Sequence, residues 1–136
     1  MTCGRGTPLA LSLSAGNHND ILELLPLVDA IPPVRGKRGR PRRRPRRLLG
    51  DGAYHSRRHR GELRARRISA AIPRPKQPHG SGLGKQRWVV ERTIVLHQYR
   101  RLRVRYERRA DIHEAFLQIA ACLICLKLLN AEEPFC

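Results

Sequence analysis

The sequence predicts an α/β fold in which short strands alternate with helices along one domain. The chain has 136 residues, of which 40% are hydrophobic, so it is long and apolar enough to bury one core. Strand and helix signals follow in the order strand, helix, strand, helix, strand, long helix, helix. This alternation is typical of a layered α/β domain in which at least part of the sheet is parallel.

The first elements are indicated by residues before position 35. In Thr7–Ser14, Leu residues alternate with smaller residues, which predicts a strand. Asn17–Asp20 predicts a turn and a helix cap, and Ile21–Ala30 has the apolar spacing of a helix. We expect Pro32 and Pro33 to end this helix.

The next segment, Arg35–Arg47, is strongly basic. Nine of its thirteen residues are Lys or Arg, and glycines and prolines interrupt them. Because Gly and Pro disfavour regular structure, we expect an extended loop that contacts nucleic-acid phosphates without reading bases. A solvated basic linker is the alternative.

Two strands and a helix are predicted between residues 46 and 73. Arg46–Asp51 predicts a short strand that runs into a glycine turn. Ser56 is placed to cap a helix over Arg57–Arg67, and Ser69–Pro73 predicts the next strand. Arg74–Gly84, rich in Pro and Gly, predicts a flexible crossover.

Two helices are predicted in the last third of the chain. Lys85–Arg105 has the spacing of an amphipathic helix, whereas Asp111–Leu129 is apolar almost all round and is therefore expected to be buried. The longest uninterrupted apolar run, Ile119–Leu126, is shorter than the roughly 20 residues that span a bilayer. The short apolar run Pro8–Leu13 lacks the length of a signal-peptide core, so we expect a soluble, cytoplasmic protein without a membrane partner.

The charge balance predicts a polyanionic partner. The chain has 28 Lys and Arg residues against 11 Asp and Glu residues, for a net charge of +17. Nucleic acid fits this charge better than an anionic membrane does. With one Trp, three Tyr and two Phe, single-strand binding by base stacking is poorly supported.

The cysteines are too few and too unevenly placed for a secreted disulfide framework. Cys122 and Cys125, with His55 and His59, raise the alternative of a zinc site. Both cysteines lie on the predicted apolar helix and no second cysteine pair exists, so buried core thiols are the preferred interpretation.

Two carboxylates stand alone in basic stretches. Asp51 is the only acid between Asp29 and Glu62. Glu91 is the only acid between Glu62 and Glu107. A carboxylate among cations suits a divalent metal held against a polyanion, as phosphoryl transfer on nucleic acid requires.

Each carboxylate also has an ordinary structural interpretation. Asp51 ends a predicted strand at a glycine turn, where α/β folds place active-site residues and where an Asp commonly caps the turn. Glu91 lies one helical turn after Arg87, which suits a metal ligand beside a phosphate-binding Arg and equally an i, i+4 ion pair. Spacing alone leaves both interpretations open.

Several ordered blocks of sequence carry a more specific signal: Arg5–Ala10, Asn17–Asp20, Leu24–Pro33, Gly39–Arg42, Leu48–Tyr54, Gly82–Thr93 and Tyr99–Arg108. Together, from Arg5 to about Leu129, they resemble the DDE transposases of bacterial insertion sequences, a superfamily with an RNase H-like catalytic core. In that family two Asp and one Glu bind two divalent cations, which activate water or a DNA 3′-hydroxyl. Two metals share the charge on the attacking and leaving oxygens, so the carboxylates must converge on one phosphate.

The resemblance assigns roles to residues of this chain. Asp51 matches the second Asp, Glu91 matches the Glu, and Arg87 matches the Arg of the family's Tyr-Arg-Glu-Lys signature. It implies catalytic roles for all three, metal binding by Asp51 and Glu91, and Mg²⁺ or Mn²⁺ as the cofactor of the intact enzyme. The candidate contacts to transposon-end DNA are Arg38, Arg40, Arg42, Arg43, Arg44, Lys85, Arg92, Arg100 and Arg101.

The chain also departs from the family pattern. The family's first Asp lies on a strand upstream, and no residue before Arg5 can stand for it. Gly84 occupies the signature's Tyr position and Gln98 its Lys position, although Arg100 or Arg101 offers a nearby cation. These departures predict the C-terminal half of a transposase, with two of its three metal ligands.

We therefore expect a truncated RNase H-like α/β fold, with a mixed sheet, flanking helices and the first catalytic strand absent. Residues 1–130 would form a partial catalytic domain with the Arg-rich loop 35–47, followed by a tail at 131–136. DNA cleavage and strand transfer would require the upstream half, and this chain would be inactive alone. A decayed remnant, the second frame of a frameshifted gene and a homo-oligomer all fit this expectation. The alternatives are a non-enzymatic DNA-binding protein that inhibits transposition and an RNA-binding protein of ribosomal type.

Overall fold

A computed structural model describes residues 1–35, 39–75, 96 and 98–131 of the chain. The described residues form two compact units, one from those within Ser14–Ser81 and the other from those within Met1–Leu13 and Gly82–Cys136. The elements of the Ser14–Ser81 unit are a 3₁₀ turn at Asp20–Glu23, α1 (Leu24–Asp29), β1 (Arg47–Leu49), a 3₁₀ turn at Gly52–Tyr54, α2 (Arg57–Ala65) and β2 (Ser69–Ala71). The elements of the other unit are α3 (Arg100–Arg103) and α4 (Ala110–Asn130).

Strands β1 and β2 pair in parallel, which confirms the predicted βαβ arrangement of this part of the chain. The register aligns Leu48 with Ala70, and β1 and β2 form the one sheet within the described residues. Parallel neighbours cannot be joined by a tight turn and need a crossover, which α2 supplies. The sheet of the described residues is this parallel pair alone, and the antiparallel part of the predicted mixed sheet stays a prediction.

The local capping signals act as the sequence predicts. The Asn19 side chain accepts a hydrogen bond from the Ile21 backbone N–H at 3.2 Å at the start of the first 3₁₀ turn. The Ser56 hydroxyl accepts one from the His59 backbone N–H at 3.4 Å at the start of α2. Each satisfies a donor that the first turn of a helix leaves without an intrahelical partner.

The C-terminal end of α2 determines where β2 begins. Arg67 has a left-handed φ of 60°. Its N–H donates to the Arg64 carbonyl at 2.8 Å, and the Ile68 N–H donates to the Leu63 carbonyl at 2.8 Å. These two bonds form a Schellman motif, and the buried side chains of Leu63 and Ile68 supply its apolar contact. The motif ends the helix and directs the chain into β2.

One apolar core holds the elements of the Ser14–Ser81 unit together. Leu63 of α2 is 0% exposed and Val28 of α1 is 1% exposed. Burial of this kind is the main favourable term available to strands of only three residues. The other buried apolar side chains of this unit are Leu24, Ile31, Leu48, Ile68 and Ile72.

Arginine side chains connect the same elements at the surface. The Arg66 guanidinium bonds both carboxylate oxygens of Asp29, at 3.1 and 3.0 Å, and Glu62 Oε2 at 2.7 Å, which links α1 to α2. Hydrogen bonding to Arg66 holds the pKa of Asp29 below its usual range. Arg60 of α2 donates to the Ala70 carbonyl of β2 at 3.4 Å. Several cations of this basic chain therefore have structural partners.

The predicted strand Thr7–Ser14 is wrong. The segment forms an isolated antiparallel bridge between Thr2 and Pro8, and the Met1 ammonium donates to the Ala10 carbonyl at 2.7 Å. Pro8 has no N–H and cannot continue a ladder of hydrogen bonds. The alternation of Leu residues therefore does not produce a strand.

Most of the predicted helix Lys85–Arg105 lies outside the described residues, and in the part that can be compared it holds only for the single turn of α3, Arg100–Arg103. Tyr99 is extended, with φ −80° and ψ 111°, and Val104 is extended again after the single turn of α3. The Arg105 side chain then donates to the Glu107 carbonyl at 2.9 Å, a local bond within the non-helical segment between α3 and α4. A continuous helix is excluded from residue 99 onwards.

Helix α4 has the predicted bounds to within one residue, but its predicted burial is wrong. Within the described part of the chain only Ala120 and Ala121 of this helix are buried. By length and composition alone, α4 could cross a membrane. Buried core helices of soluble proteins have the same length and composition, so this is weak evidence for a membrane span. Of the most apolar 18 residues of α4, 17% are buried. The short α3 packs on α4 but is too small to cover a helix of 21 residues. Its exposed large apolar residues are Ile112, Ile119, Leu123, Leu126 and Leu129.

Arg67→Gly is expected to stabilise the chain. A side chain in the left-handed region costs roughly 1–2 kcal/mol, which glycine avoids while losing part of the gain to its greater unfolded-state entropy. The free energy of unfolding, measured in urea, should therefore rise by about 1 kcal/mol. Arg64→Gly is the control, because it removes the same charge from α2 and should cost about 1 kcal/mol. Equal destabilisation by both changes would contradict the role given to Arg67.

Candidate functional site

Asp51 lies at the carboxyl end of the parallel strand pair. The Gly50 N–H donates to the Ala71 carbonyl at 3.4 Å, which extends the pairing just beyond β1. The Asp51 side chain is exposed, and its Oδ1 accepts a hydrogen bond from the Ala53 N–H at 2.8 Å. Asp51 therefore caps the turn and also presents a carboxylate where open α/β sheets bind ligands.

Two carboxylates, those of Asp20 and Asp51, lie close enough to Tyr54 to affect its phenol, which is in the turn that follows Asp51. Burial raises the pKa of the Tyr54 phenol above its usual value, and the carboxylates of Asp20 and Asp51 raise it further. The 3₁₀ turns that carry Asp20 and Tyr54 are in contact. The sequence predicted a capping role for the segment containing Asp20 and did not predict its proximity to this site.

The Asp51 carboxylate fits the ligand chemistry of Mg²⁺ or Mn²⁺, since hard divalent cations prefer oxygen donors. The Ala53 N–H occupies one oxygen and leaves the other free of hydrogen bonds to any described residue. Over residues 1–35, 39–75, 96 and 98–131, no group of three or more His, Cys, Asp or Glu residues could hold a metal ion. Asp51 thus offers one ligand of a site that other residues would have to complete.

The remaining catalytic candidates lie outside the described residues. This applies to Arg87 and Glu91, so their proposed pairing with Asp51 stays a prediction. It applies equally to three of the candidate DNA contacts: Arg38, Lys85 and Arg92.

The described part of the basic loop 35–47 presents its side chains to water. Val34 and Arg42 exchange two backbone hydrogen bonds, of 2.8 and 2.9 Å, which close the loop. Gly39, with φ 100°, adopts a conformation that other residues rarely reach. No carboxylate in the described part of the chain lies within ion-pair distance of the four candidate contacts in this loop. These four exposed candidates are Arg40, Arg42, Arg43 and Arg44.

Arg100 and Arg101, neighbours on α3, differ in how far they are free to bind an anion. Arg101 Nη1 lies 2.7 Å from Glu107 Oε1. Its guanidinium carbon lies 5.8 Å from the ring centroid of Tyr106 and 5.4 Å from that of Phe116. Arg100 is exposed and has no carboxylate within ion-pair distance among the described residues. Arg101 therefore links α3 to α4, whereas Arg100 is available.

Glu107 is a half-buried residue that sequence reasoning did not select. Its side chain is 7% exposed, and His113 Nδ1 lies 3.4 Å from its Oε2. Burial alone would raise its pKa, but hydrogen bonds from Arg101, from a backbone N–H and from His113 outweigh burial and hold the pKa below its usual value. In the sequence, Glu107 is marked only as the acid that ends the long stretch in which Glu91 is the single carboxylate.

The preferred interpretation of the cysteines as buried core thiols is wrong for Cys122, which is exposed, and holds only in part for Cys125, which is half-buried. Burial, and then the neighbouring Cys122, raise the pKa of the Cys125 thiol. His55 and His59 do not join a metal-binding group with these cysteines among the described residues. The apolar helix is present as predicted, but it leaves its Cys122 face open.

Comparisons with known proteins give a consistent result. A family model described as "Transposase DDE domain" matches residues 1–125. A Burkholderia cepacia protein described as "Putative transposase for insertion sequence element IS402" is 57% identical over 134 residues, which cover 98% of this chain and 64% of the relative. The chain thus spans about two thirds of the length of this relative. No solved structure matches the chain.

Glu107→Gln is expected to make stability less dependent on pH. Because the folded-state pKa of Glu107 is lowered, its ionised form stabilises the fold above the ordinary carboxylate pKa, and this stabilisation is lost as the pH falls through the folded value. The variant should melt below the parent at about pH 7, and the difference should shrink towards about pH 3.

Thermal unfolding followed by circular dichroism across this pH range gives the measurement. Glu114→Gln is the matched control, since it removes a carboxylate of α4 that has no ion-pair partner within the described residues. A melting difference for Glu107→Gln that stays constant with pH would contradict the assignment.

Proposed function

Because the chain belongs to the transposase DDE domain family, we propose that it acts in DNA transposition as part of an insertion-sequence transposase. The observation that carries this proposal is the position of Asp51, an exposed carboxylate at the carboxyl end of a parallel strand pair in a chain of net charge +17. A basic loop leads directly into β1, the strand before Asp51. Phosphate binding and metal binding would therefore be adjacent along one short segment.

The proposed site combines Asp51 with Glu91 as metal ligands and Arg87 as the phosphate-binding cation, in an RNase H-like arrangement. Bound Mg²⁺ or Mn²⁺ would supply charge stabilisation to the attacking and leaving oxygens of a DNA phosphodiester. The Ala53 N–H, 2.8 Å from Asp51 Oδ1, keeps that carboxylate oriented. The third carboxylate comes from outside these 136 residues, and we expect no turnover from the chain by itself.

The proposed partners are DNA at the ends of an insertion sequence and a further polypeptide segment that completes the catalytic site. The exposed arginines of the loop hold phosphates without selecting a base sequence. This makes affinity dependent on salt, because each neutralised phosphate releases condensed counterions. Self-association and a cytoplasmic location are compatible with this role.

A binding-only function is the second candidate. It is favoured by the exposed arginines of the described loop, which have no carboxylate within ion-pair distance among the described residues and would bind DNA whether or not a metal site is complete. Such a protein would occupy transposon ends and inhibit transposition. The two functions differ in one respect: the catalytic function requires the carboxylates of Asp51 and Glu91, whereas the binding-only function does not.

Asp51→Asn and Glu91→Gln are each expected to abolish metal-dependent strand cleavage while leaving DNA binding intact. Loss of one carboxylate ligand should lower the cleavage rate by at least about 100-fold, on the scale of losing one preorganised charge-stabilising group. The measurement is Mg²⁺-dependent cleavage of insertion-sequence-end DNA by this chain together with the polypeptide encoded directly upstream of Met1.

Asp111→Asn is the matched control, because it changes the net charge equally at an exposed carboxylate of α4. It should leave both cleavage and binding unchanged. Cleavage that survives Asp51→Asn would overturn the catalytic proposal. Salt-sensitive DNA binding without any cleavage, unaffected by either active-site change, would establish the binding-only function instead.

A further inference from the structure

An open pocket lies beside α3, and none of the roles described above uses it as a binding site. It has a volume of about 310 Å³, and the described residues that line it are Arg100, Arg101 and Tyr106. This volume is near the lower end of small-ligand sites. Two arginines and a tyrosine among its lining residues combine side chains that can bind an anion with one that can stack on a base.

Tyr106 offers a stacking surface whose position is fixed. It is 57% exposed, so much of its ring can be reached by a ligand. The Arg101 guanidinium carbon lies 5.8 Å from the ring centroid, and Arg101 Nη1 is itself 2.7 Å from the Glu107 carboxylate. Arg101 thus acts as a positioning residue for the Tyr106 ring.

Arg100 offers the positive charge that Arg101 does not. It is exposed and has no carboxylate within ion-pair distance among the described residues. Its neighbour Arg101 forms an ion pair with Glu107. The pocket therefore contains one arginine that is ion-paired, Arg101, one arginine that can bind an anion, Arg100, and the accessible ring of Tyr106.

We propose that this pocket holds one unpaired nucleotide of a DNA strand, with the base stacked on Tyr106 and the adjoining phosphate bound by Arg100. This proposal rests on the proposed DNA-binding function and names a subsite within it. A base inside a duplex is already stacked on its neighbours and cannot reach the ring, so the ligand is a single-stranded or extruded nucleotide. Base stacking is tolerant of sequence, because every base has an aromatic face.

The test compares binding of the full chain to a single-stranded dT12 oligonucleotide, to a duplex of equal length, and to a twelve-unit strand lacking bases. Fluorescence anisotropy at fixed salt gives the affinities. Tyr106→Ala should weaken dT12 binding by about tenfold, whereas Tyr106→Phe, which keeps the ring, should stay within about twofold of the parent. Duplex binding should be the same for all three proteins.

Arg100→Ala and Arg103→Ala form a pair matched for charge, since both arginines are exposed on α3 and only Arg100 lines the pocket. Arg100→Ala should reduce dT12 affinity several-fold more than Arg103→Ala. Equal losses from the two changes would overturn the phosphate contact.

Base removal from the ligand tests the stacking contact without altering the protein. In the parent chain the strand without bases should bind about tenfold more weakly than dT12, and in Tyr106→Ala this difference should vanish. If both proteins show the same difference, the pocket assignment fails while DNA binding stands. If the parent chain binds neither strand nor duplex even at low salt, the proposed function itself fails.

Discussion

The parallel pairing of β1 with β2 depends on how α2 ends. Leu63 is completely buried, and its carbonyl accepts the Ile68 N–H, so the last turn of the helix and the first residue after it are fixed together. Arg67 accepts a left-handed conformation to make this return possible. Without it, β2 would miss its register with β1, and the strand end that carries Asp51 would lose its only neighbour within the described sheet.

Some arginines of this chain form ion pairs within the fold, and others are exposed and have no ion pair among the described residues. The guanidinium groups of Arg66 and Arg101 are bound to carboxylates and connect helices, whereas Arg100 and the four candidate arginines of the loop have no carboxylate within ion-pair distance among the described residues. The net charge predicted a polyanionic partner and could not distinguish these two groups. Availability follows from geometry, because a cation paired with Glu107 is already partly neutralised.

Local signals in the sequence predicted the parts of the fold that local chemistry controls. The Ser56 cap, the strand at β1 and the position of Asp51 after it all follow from residues within a few positions of one another. The failures concern properties set by distant residues: Pro8 pairs with Thr2 in place of a strand, and the apolar α4 lacks a cover among the described elements. The functional pairing of Asp51 with Glu91 rests on sequence resemblance. The low overall aromatic content concealed the accessible ring of Tyr106.

The exposed apolar face of α4 also affects how the unfolding of this chain should be interpreted. Denaturant sensitivity and the heat capacity of unfolding both scale with the surface that becomes newly hydrated. Leu123, Leu126 and Leu129 are already 40%, 51% and 54% exposed before unfolding begins. The urea m-value and the heat-capacity increment should therefore both fall below those of a well-packed domain of equal length. A shallow unfolding transition would then reflect the small area buried by the native state, and would not by itself indicate an intermediate.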